Sequence, residues 1–117
     1  MKKLIFLFSL FIAFQAVAQE GIRFRHCSWE EAKAMAKKEK KPIFIDFYTQ
    51  WCGPCLNMAE NIFTLGSVGN FYNDHFVCLK IDAETGEGVE LAKKYEVASF
   101  PTFVFVNPKT EKAIHIS

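Results

Sequence analysis

The sequence predicts a three-layer α/β fold, in which a mixed central sheet is flanked by helices, because short apolar runs alternate with segments of helical periodicity. We expect strands at residues 22–26, 43–48, 76–82, 103–106 and 112–116. We expect helices at residues 29–40, 53–63 and 89–95, with a shorter helical segment around 68–72. Such alternation indicates a mostly parallel core. The expected strand order is 22–26, 76–82, 43–48 and 103–106, with 112–116 at an edge.

Local signals place the boundaries of the helices. Ser28 and Glu31 have the spacing of a capping box, which is typical of the start of a helix. Pro42 ends that helix just before the strand at residues 43–48, because the residue before a proline disfavours helical backbone. Gly66 and Gly69 are expected to interrupt the helical pattern that follows.

Two cysteines three positions apart form the motif Trp51-Cys52-Gly53-Pro54-Cys55, placed where a helix follows an apolar strand. Unpaired backbone N–H groups and the helix dipole favour a thiolate at the first cysteine, so we expect Cys52 to be the nucleophile. Cys55 lies one turn further on and is the expected resolving thiol. Pro54 is tolerated in the first helical turn, and Gly53 is expected to allow a tight turn beside the sulfur. Trp51 is expected to shield one side of the site from water.

Two separate segments resemble the thioredoxin family. Residues 43–55 resemble its active-site segment, and Ser99-Phe100-Pro101-Thr102 resembles its cis-proline loop. The resemblance implies that Pro101 is cis and packs against the cysteine pair. It also implies that the main chain of Phe100 docks an extended substrate segment by strand-like pairing. The residues expected to bind substrate are Trp51, Gly53, Pro54, Phe100, Pro101 and Thr102.

Asp46 lies six residues before Cys52 in an otherwise apolar strand, where an acid is unfavourable unless it has a task. In the family, an acid at this position is the buried general base for the resolving cysteine, and the resemblance assigns that role to Asp46. Burial would raise its pKa toward neutrality, which suits proton exchange with Cys55. The alternative is a strand-end acid that caps the following helix.

The chain departs from the thioredoxin pattern in three places. Cys78 is expected to stand where many thioredoxins carry a lysine that pairs with the buried acid, which would leave Asp46 without its usual cation. Leu56 stands where a lysine is common. The family usually has a C-terminal helix after the last strand, whereas this sequence stops just after the strand at residues 112–116. We therefore interpret the chain as a fragment or a minimal variant.

The first residues have the pattern of a secretory signal peptide. Lys2 and Lys3 precede an apolar run at residues 4–14, and small residues ending at Ala18 form a cleavage signature. We expect residues 1–18 to be removed on export across an inner membrane, most simply into a bacterial periplasm. The alternative is an uncleaved anchor, although the apolar run is short for a membrane span.

Residues 19–117 are then expected to form one thioredoxin-like domain. Because residues 1–18 contain two lysines and no acid, their removal changes the formal net charge from +1 to −1. Such a balance does not indicate nucleic-acid binding.

The remaining cysteines, Cys27 and Cys78, have two possible states. They could form a second disulfide, since their expected strands are neighbours, or they could be buried free thiols, which we favour for Cys78. The four cysteines include only one close pair, which is unlike structural zinc sites, and Leu56 replaces the histidine that haem attachment requires. No metal and no organic cofactor are therefore expected.

Together these features predict an exported thiol–disulfide oxidoreductase that acts on protein thiols and disulfides. The catalytic residues would be Cys52, Cys55 and Asp46, and the Gly-Pro dipeptide between the cysteines resembles reducing members of the family. An exported reductase would need a membrane protein as electron donor. The alternatives are a disulfide oxidase or isomerase, and a non-catalytic domain that uses the fold to dock partners in a larger assembly.

Overall fold

The computed structural model describes residues 20–117, so the predicted signal peptide lies outside the described residues. This part of the chain contains four helices and four strands. They are α1 (Trp29–Glu39), β1 (Ile43–Tyr48), α2 (Gly53–Asn61), α3 (Gly66–His75), β2 (Val77–Asp82), α4 (Gly88–Lys94), β3 (Thr102–Val106) and β4 (Ala113–Ile116). None of these helices is long and apolar enough to cross a membrane.

The strands form one mixed sheet in the order β2-β1-β3-β4. Only the β1–β2 pair is parallel, whereas β1–β3 and β3–β4 are antiparallel. The mixed sheet and the order of these four strands are confirmed, but the prediction of a mostly parallel core is wrong. After α4 the chain enters β3 from the opposite end of the sheet. β1 lies between two neighbours and is buried on both faces, which explains its nearly unbroken apolar sequence.

The strand predicted at residues 22–26 is absent from the described sheet. The segment runs beside β2, but one backbone bond joins them, from the Arg25 N–H to the Cys78 carbonyl at 2.8 Å. The N–H of Ile22 donates instead to the Phe63 carbonyl, and that of Arg23 to the side chain of Asn73. Because these donors turn away from β2, the segment cannot form a regular ladder.

The helices cover the two faces of the sheet in pairs, which confirms the three layers. Helices α1 and α4 contribute to a core on one face, with β1 residues Ile43, Ile45 and Phe47. On the other face, side chains from α2 and α3 pack around Phe44 and Phe63. The alternation of β1 side chains between these cores places Asp46 on the same face as Phe44, the face that α2 covers.

Helix α1 begins where its sequence predicts and ends at Glu39, one residue before its predicted end. The Ser28 hydroxyl accepts a bond from the Glu31 N–H at 3.1 Å, and the Ser28 N–H donates to the Glu31 carboxylate at 3.3 Å. Lys40 takes the left-handed conformation, with φ of 56°, and ends the helix before β1. The capping box is therefore confirmed.

Glycines do not interrupt α3, contrary to the prediction, because Gly66 and Gly69 both lie within it. Gly69 is buried, and a Cβ atom there would overlap the backbone of Glu20 and Gly21. The glycine thus serves close packing of the N-terminal segment against the helix. Helix α2 ends at Asn61, two residues before its predicted end.

Candidate active site

Cys52 and Cys55 are joined by a disulfide at the start of α2, with Cα atoms 5.2 Å apart. Cys52 is the N-cap residue, and its sulfur accepts a hydrogen bond from the Cys55 N–H at 3.1 Å. The same N–H group would stabilise a Cys52 thiolate after reduction. Since both cysteines are buried, with 6% and 4% of their surface exposed, it is this position at the helix end that distinguishes Cys52.

The two residues between the cysteines are exposed. Gly53 does not have a positive φ, and a Cβ atom there would meet nothing within 4 Å. A tight turn therefore does not require glycine, and our explanation of Gly53 from the sequence was wrong. Its lack of a side chain instead leaves the surface beside the disulfide open. Pro54 lies in the first turn of α2, as predicted.

Trp51 is 70% exposed, so its ring lies at the protein surface, and the expected shielding of the site stays a prediction. Its indole N–H donates a hydrogen bond to the Glu84 carboxylate, in the loop after β2. Its ring meets the ring of Phe100 edge to face, with centroids 6.1 Å apart. This contact joins the cysteine motif to the loop that precedes β3.

That loop contains a cis peptide bond between Phe100 and Pro101, which confirms the predicted isomer. Thr102 is buried at the start of β3, pairs with Phe47 of β1, and donates its hydroxyl to the Ser99 carbonyl. The loop is thereby fixed at the end of β1 from which the cysteine motif follows. The substrate-binding roles of Phe100, Pro101 and Thr102 stay predictions.

Asp46 is buried, with 1% of its surface exposed, and its Oδ1 atom has no hydrogen-bond partner among the described residues. Burial raises the pKa of this carboxyl to about 6, although the charge of Lys80 acts in the opposite direction. Asp46 does not cap α2, because Cys52 is its N-cap residue. A carboxyl that titrates near neutrality beneath α2 can exchange a proton at physiological pH.

Lys80 corrects our expectation that Asp46 lacks a cation. The parallel register places Lys80 opposite Asp46 and Cys78 opposite Phe44. The Lys80 ammonium also lies 5.0 Å from the centroid of the Tyr48 ring. Residues two apart in a strand lie on the same face, so Cys78 shares the face of Lys80 but packs beside Phe44 rather than beside Asp46.

A surface groove of about 400 Å³ runs beside the disulfide. Leu56 lines it and is 58% exposed, so the groove wall is apolar where the family commonly has a lysine. The other residues that line it are Tyr48, Thr49, Gln50, Trp51, Cys52, Gly53, Cys55 and Lys80. The predicted site residues did not include Tyr48, Thr49, Gln50, Lys80 or Glu84. A correct strand register would have identified Lys80.

Cys27 and Cys78 are free thiols that pack on opposite faces of the sheet. The favoured interpretation of Cys78 as a buried free thiol is confirmed, and a disulfide between the two is not formed. Burial raises the pKa of Cys78 to about 12. Such a thiol is protonated and unreactive at neutral pH.

The site therefore combines the groups that thiol–disulfide exchange requires. A cysteine at a helix N-terminus can attack a disulfide, a second cysteine is close enough to displace the product, and a buried carboxyl can take the second thiol's proton.

Comparison with known proteins agrees with this geometry. A family model described as thioredoxin-like matches residues 24–108. Thioredoxin-1 of Drosophila yakuba is 42% identical over 74 residues, which are 63% of this chain and 64% of that protein. The chain thus matches slightly less than two thirds of this curated relative.

Two solved structures have the same fold. A protein of Bacteroides thetaiotaomicron, provisionally described as a disulphide-isomerase, is 43% identical, with a TM-score of 0.74 over 83% of this chain and 79% of that one. A thioredoxin from Thermus thermophilus is 27% identical, with a TM-score of 0.71 over 83% of this chain and 75% of that one. The fold, the cysteine pair, the cis-proline loop and these matches together make the chain a member of the thioredoxin-like family.

Proposed function

We propose that this protein is an exported thiol–disulfide oxidoreductase that reduces disulfides in protein substrates. One observation carries the proposal: Asp46 is buried on the sheet face beneath α2, the helix whose first turn holds the disulfide between Cys52 and Cys55. A buried carboxyl lowers the stability of the fold. Its presence in this place is explained by a proton-transfer role.

The reaction follows from these three groups. The Cys52 thiolate attacks one sulfur of the substrate disulfide, which breaks that bond, forms a mixed disulfide and releases one substrate thiolate that takes a proton from water. Asp46 accepts the proton of Cys55, whose thiolate then attacks the Cys52 sulfur. The second substrate thiolate leaves and is protonated. The substrate disulfide gains two electrons, and the cysteine pair loses them.

The proposal also specifies the direction of exchange, which is reduction of substrate disulfides. The Gly-Pro dipeptide and the buried acid resemble reducing members of the family, which supports a reductase. Isomerase activity is the second candidate, because the Bacteroides thetaiotaomicron protein that bears this description is 43% identical to this chain. An isomerase would require an exposed Cys52 thiolate that persists, and hence a less reducing pair.

Export is proposed from the signal-peptide pattern of residues 1–18. A reductase outside the cytoplasm needs electrons from within, so its partner would be a membrane protein that passes on thiol equivalents. Expression of the full chain in a bacterium, followed by fractionation and mass spectrometry of the N-terminus, tests this part separately. A mature protein that begins near residue 19 in the periplasm supports it, whereas an intact cytoplasmic protein refutes it.

Activity is tested by insulin reduction with dithiothreitol as electron donor. Replacing Cys52 with serine should abolish turnover, and replacing Cys55 should trap mixed disulfides that survive until a reductant is added. Cys27→Ser is the matched control, since Cys27 lies outside the site, and it should keep full activity. Normal activity of Cys52→Ser would contradict the proposal, whereas an unmodified protein that reduces no insulin would favour the docking-domain alternative.

A further inference from the structure

Two buried side-chain oxygens lack a hydrogen-bond partner among the described residues, and both lie at the active-site end of β1. One is Oδ1 of Asp46, and the other is Oγ1 of Thr49, a residue that is only 2% exposed. A buried hydroxyl without a partner destabilises a fold, whereas valine has the same shape and no such defect. The threonine is therefore expected to find its partner in another state of the site.

The surroundings of Thr49 indicate which state that is. Its carbonyl accepts a hydrogen bond from the Cys52 N–H at 3.3 Å, which ties it to the cysteine motif. Thr49 also lines the same groove as Cys52, Cys55 and Lys80. In the structure the sulfur of Cys55 is held in the disulfide. When that bond opens, a thiol appears beside the groove wall to which Thr49 belongs.

We propose that the Thr49 hydroxyl bridges the Cys55 thiol and the Asp46 carboxylate once the disulfide has opened. A hydroxyl can accept one hydrogen bond from the thiol while it donates another to the carboxylate. In the resolving step it receives the proton of Cys55 and passes its own to Asp46, so Thr49 stays neutral and one proton is moved. The inference rests on the proposed function and explains why a polar side chain is kept in this buried place.

The groups that face Asp46 bear on the pH dependence of this step. They are Lys80 from β2 and Tyr48 from β1. With the bridge intact, the resolving rate should rise as Asp46 ionises. Without it, Cys55 must lose its proton to solvent, so the rate should follow the higher pKa of the thiol itself.

Thr49→Val in the full chain tests the inference with Ellman's reagent as the disulfide. Reduced protein releases one thionitrobenzoate when Cys52 attacks and a second when Cys55 resolves the mixed disulfide. We expect the second phase to slow about tenfold and its pH profile to move to higher pH, with the first phase unchanged. Thr49→Ser should restore the rate, and Asp46→Asn combined with Thr49→Val should be no slower than Asp46→Asn alone.

If Thr49 had only a structural role, replacing it would lower the stability of the oxidised protein. On our proposal, the Tm of oxidised Thr49→Val should instead match or exceed that of the unmodified protein, because an unpartnered hydroxyl is removed. A second phase as fast as in the unmodified protein, or Thr49→Ser as slow as Thr49→Val, would overturn the inference. If Thr49→Val does not fold, Thr49→Ala serves in its place. An unmodified protein that never releases the second equivalent would instead contradict the proposed function.

Discussion

The carboxyl of Asp46 lowers the stability of the fold and has a proposed role in proton transfer. Its carboxyl is buried within β1 and has one oxygen without a partner among the described residues, so the ionised form is unfavourable. The raised pKa of about 6 measures that penalty. Because its folded pKa exceeds its unfolded value, the protonated carboxyl is tolerated at low pH, and stability is lost as the pH rises through about 6.

Asp46→Asn should therefore stabilise the oxidised protein at high pH. We expect a gain of about 3 kcal/mol in the free energy of unfolding near pH 8, which falls toward zero near pH 4, where the aspartate is already neutral. Urea unfolding at both pH values measures it. The exposed Asp74→Asn is the control and should change little at either pH. A gain that is the same at both pH values would contradict the assigned titration.

Lys80 should hold the pKa of Asp46 below the value that burial alone would give, because its charge opposes the effect of desolvation. Replacing Lys80 with methionine keeps most of the apolar stem and removes the charge. We expect the Asp46 pKa to rise above about 6, as followed by NMR titration of the carboxyl carbon. Lys93→Met, on the exposed face of α4, should leave it unchanged. A lower Asp46 pKa in Lys80→Met would refute the pairing.

Among the secondary-structure elements, Glu111 in the turn before β4 links two helices. Its Oε1 atom accepts from the Trp29 indole at 3.1 Å and from Lys94 at 2.7 Å, and it lies 3.3 Å from the ammonium of Lys33. These partners hold the pKa of Glu111 at about 2. Since α1 supplies two of them and α4 the third, the carboxylate ties both helices to the β3–β4 turn.

Glu111→Gln should destabilise the protein by about 1 kcal/mol at neutral pH, a value that allows for partial exposure and solvent screening. The folded pKa is depressed, so this stabilisation is present above the unfolded pKa near 4.5 and is lost as the pH falls through about 2. Thermal unfolding across that range measures it. Glu90→Gln is the control, because its pair with Lys93 is exposed. A deficit that persists undiminished at the lowest pH would contradict the charge-based explanation.

Most of the secondary structure could be predicted from the sequence. Periodicity and capping signals located the helices among residues 20–117 and the four strands of the sheet, because the spacing of apolar residues within each element is a local property of the sequence. The segment 22–26 failed as a strand because its backbone donors find partners on α3 and after α2, which no local pattern reports. Lys80 was missed for a related reason, since its partner depends on the register of two strands distant in sequence.

The two cysteines of the active site were easier to predict than the residues that surround them. The pairing of Cys52 with Cys55 follows from their spacing in one helical turn. The unpartnered hydroxyl of Thr49 could not be foreseen, because burial of a single polar atom is a property of the packed structure. The sequence identified the reacting groups, and the structure was needed for the groups around them.

For the whole molecule, the arrangement of the sheet separates the reactive thiols from the inert ones. Cys78 is buried and donates to the Tyr72 carbonyl at 3.6 Å, and Cys27 packs on the other face. We expect the oxidised protein to contain one disulfide. Under native alkylation Cys27 should react slowly and Cys78 more slowly still, while both should react at once after denaturation. Peptide mapping that finds Cys27 bonded to Cys78 would contradict this arrangement.

The central claim is that Cys52 and Cys55 act as one redox couple. The most direct test is to equilibrate the protein in graded glutathione buffers, alkylate free thiols, and identify the state of each cysteine by mass spectrometry. We predict that Cys52 and Cys55 titrate together as a two-electron couple, with a potential nearer the ~−270 mV of thioredoxin than the ~−120 mV of a strong oxidant. A pair that does not cycle, or that titrates as two independent thiols, would contradict it.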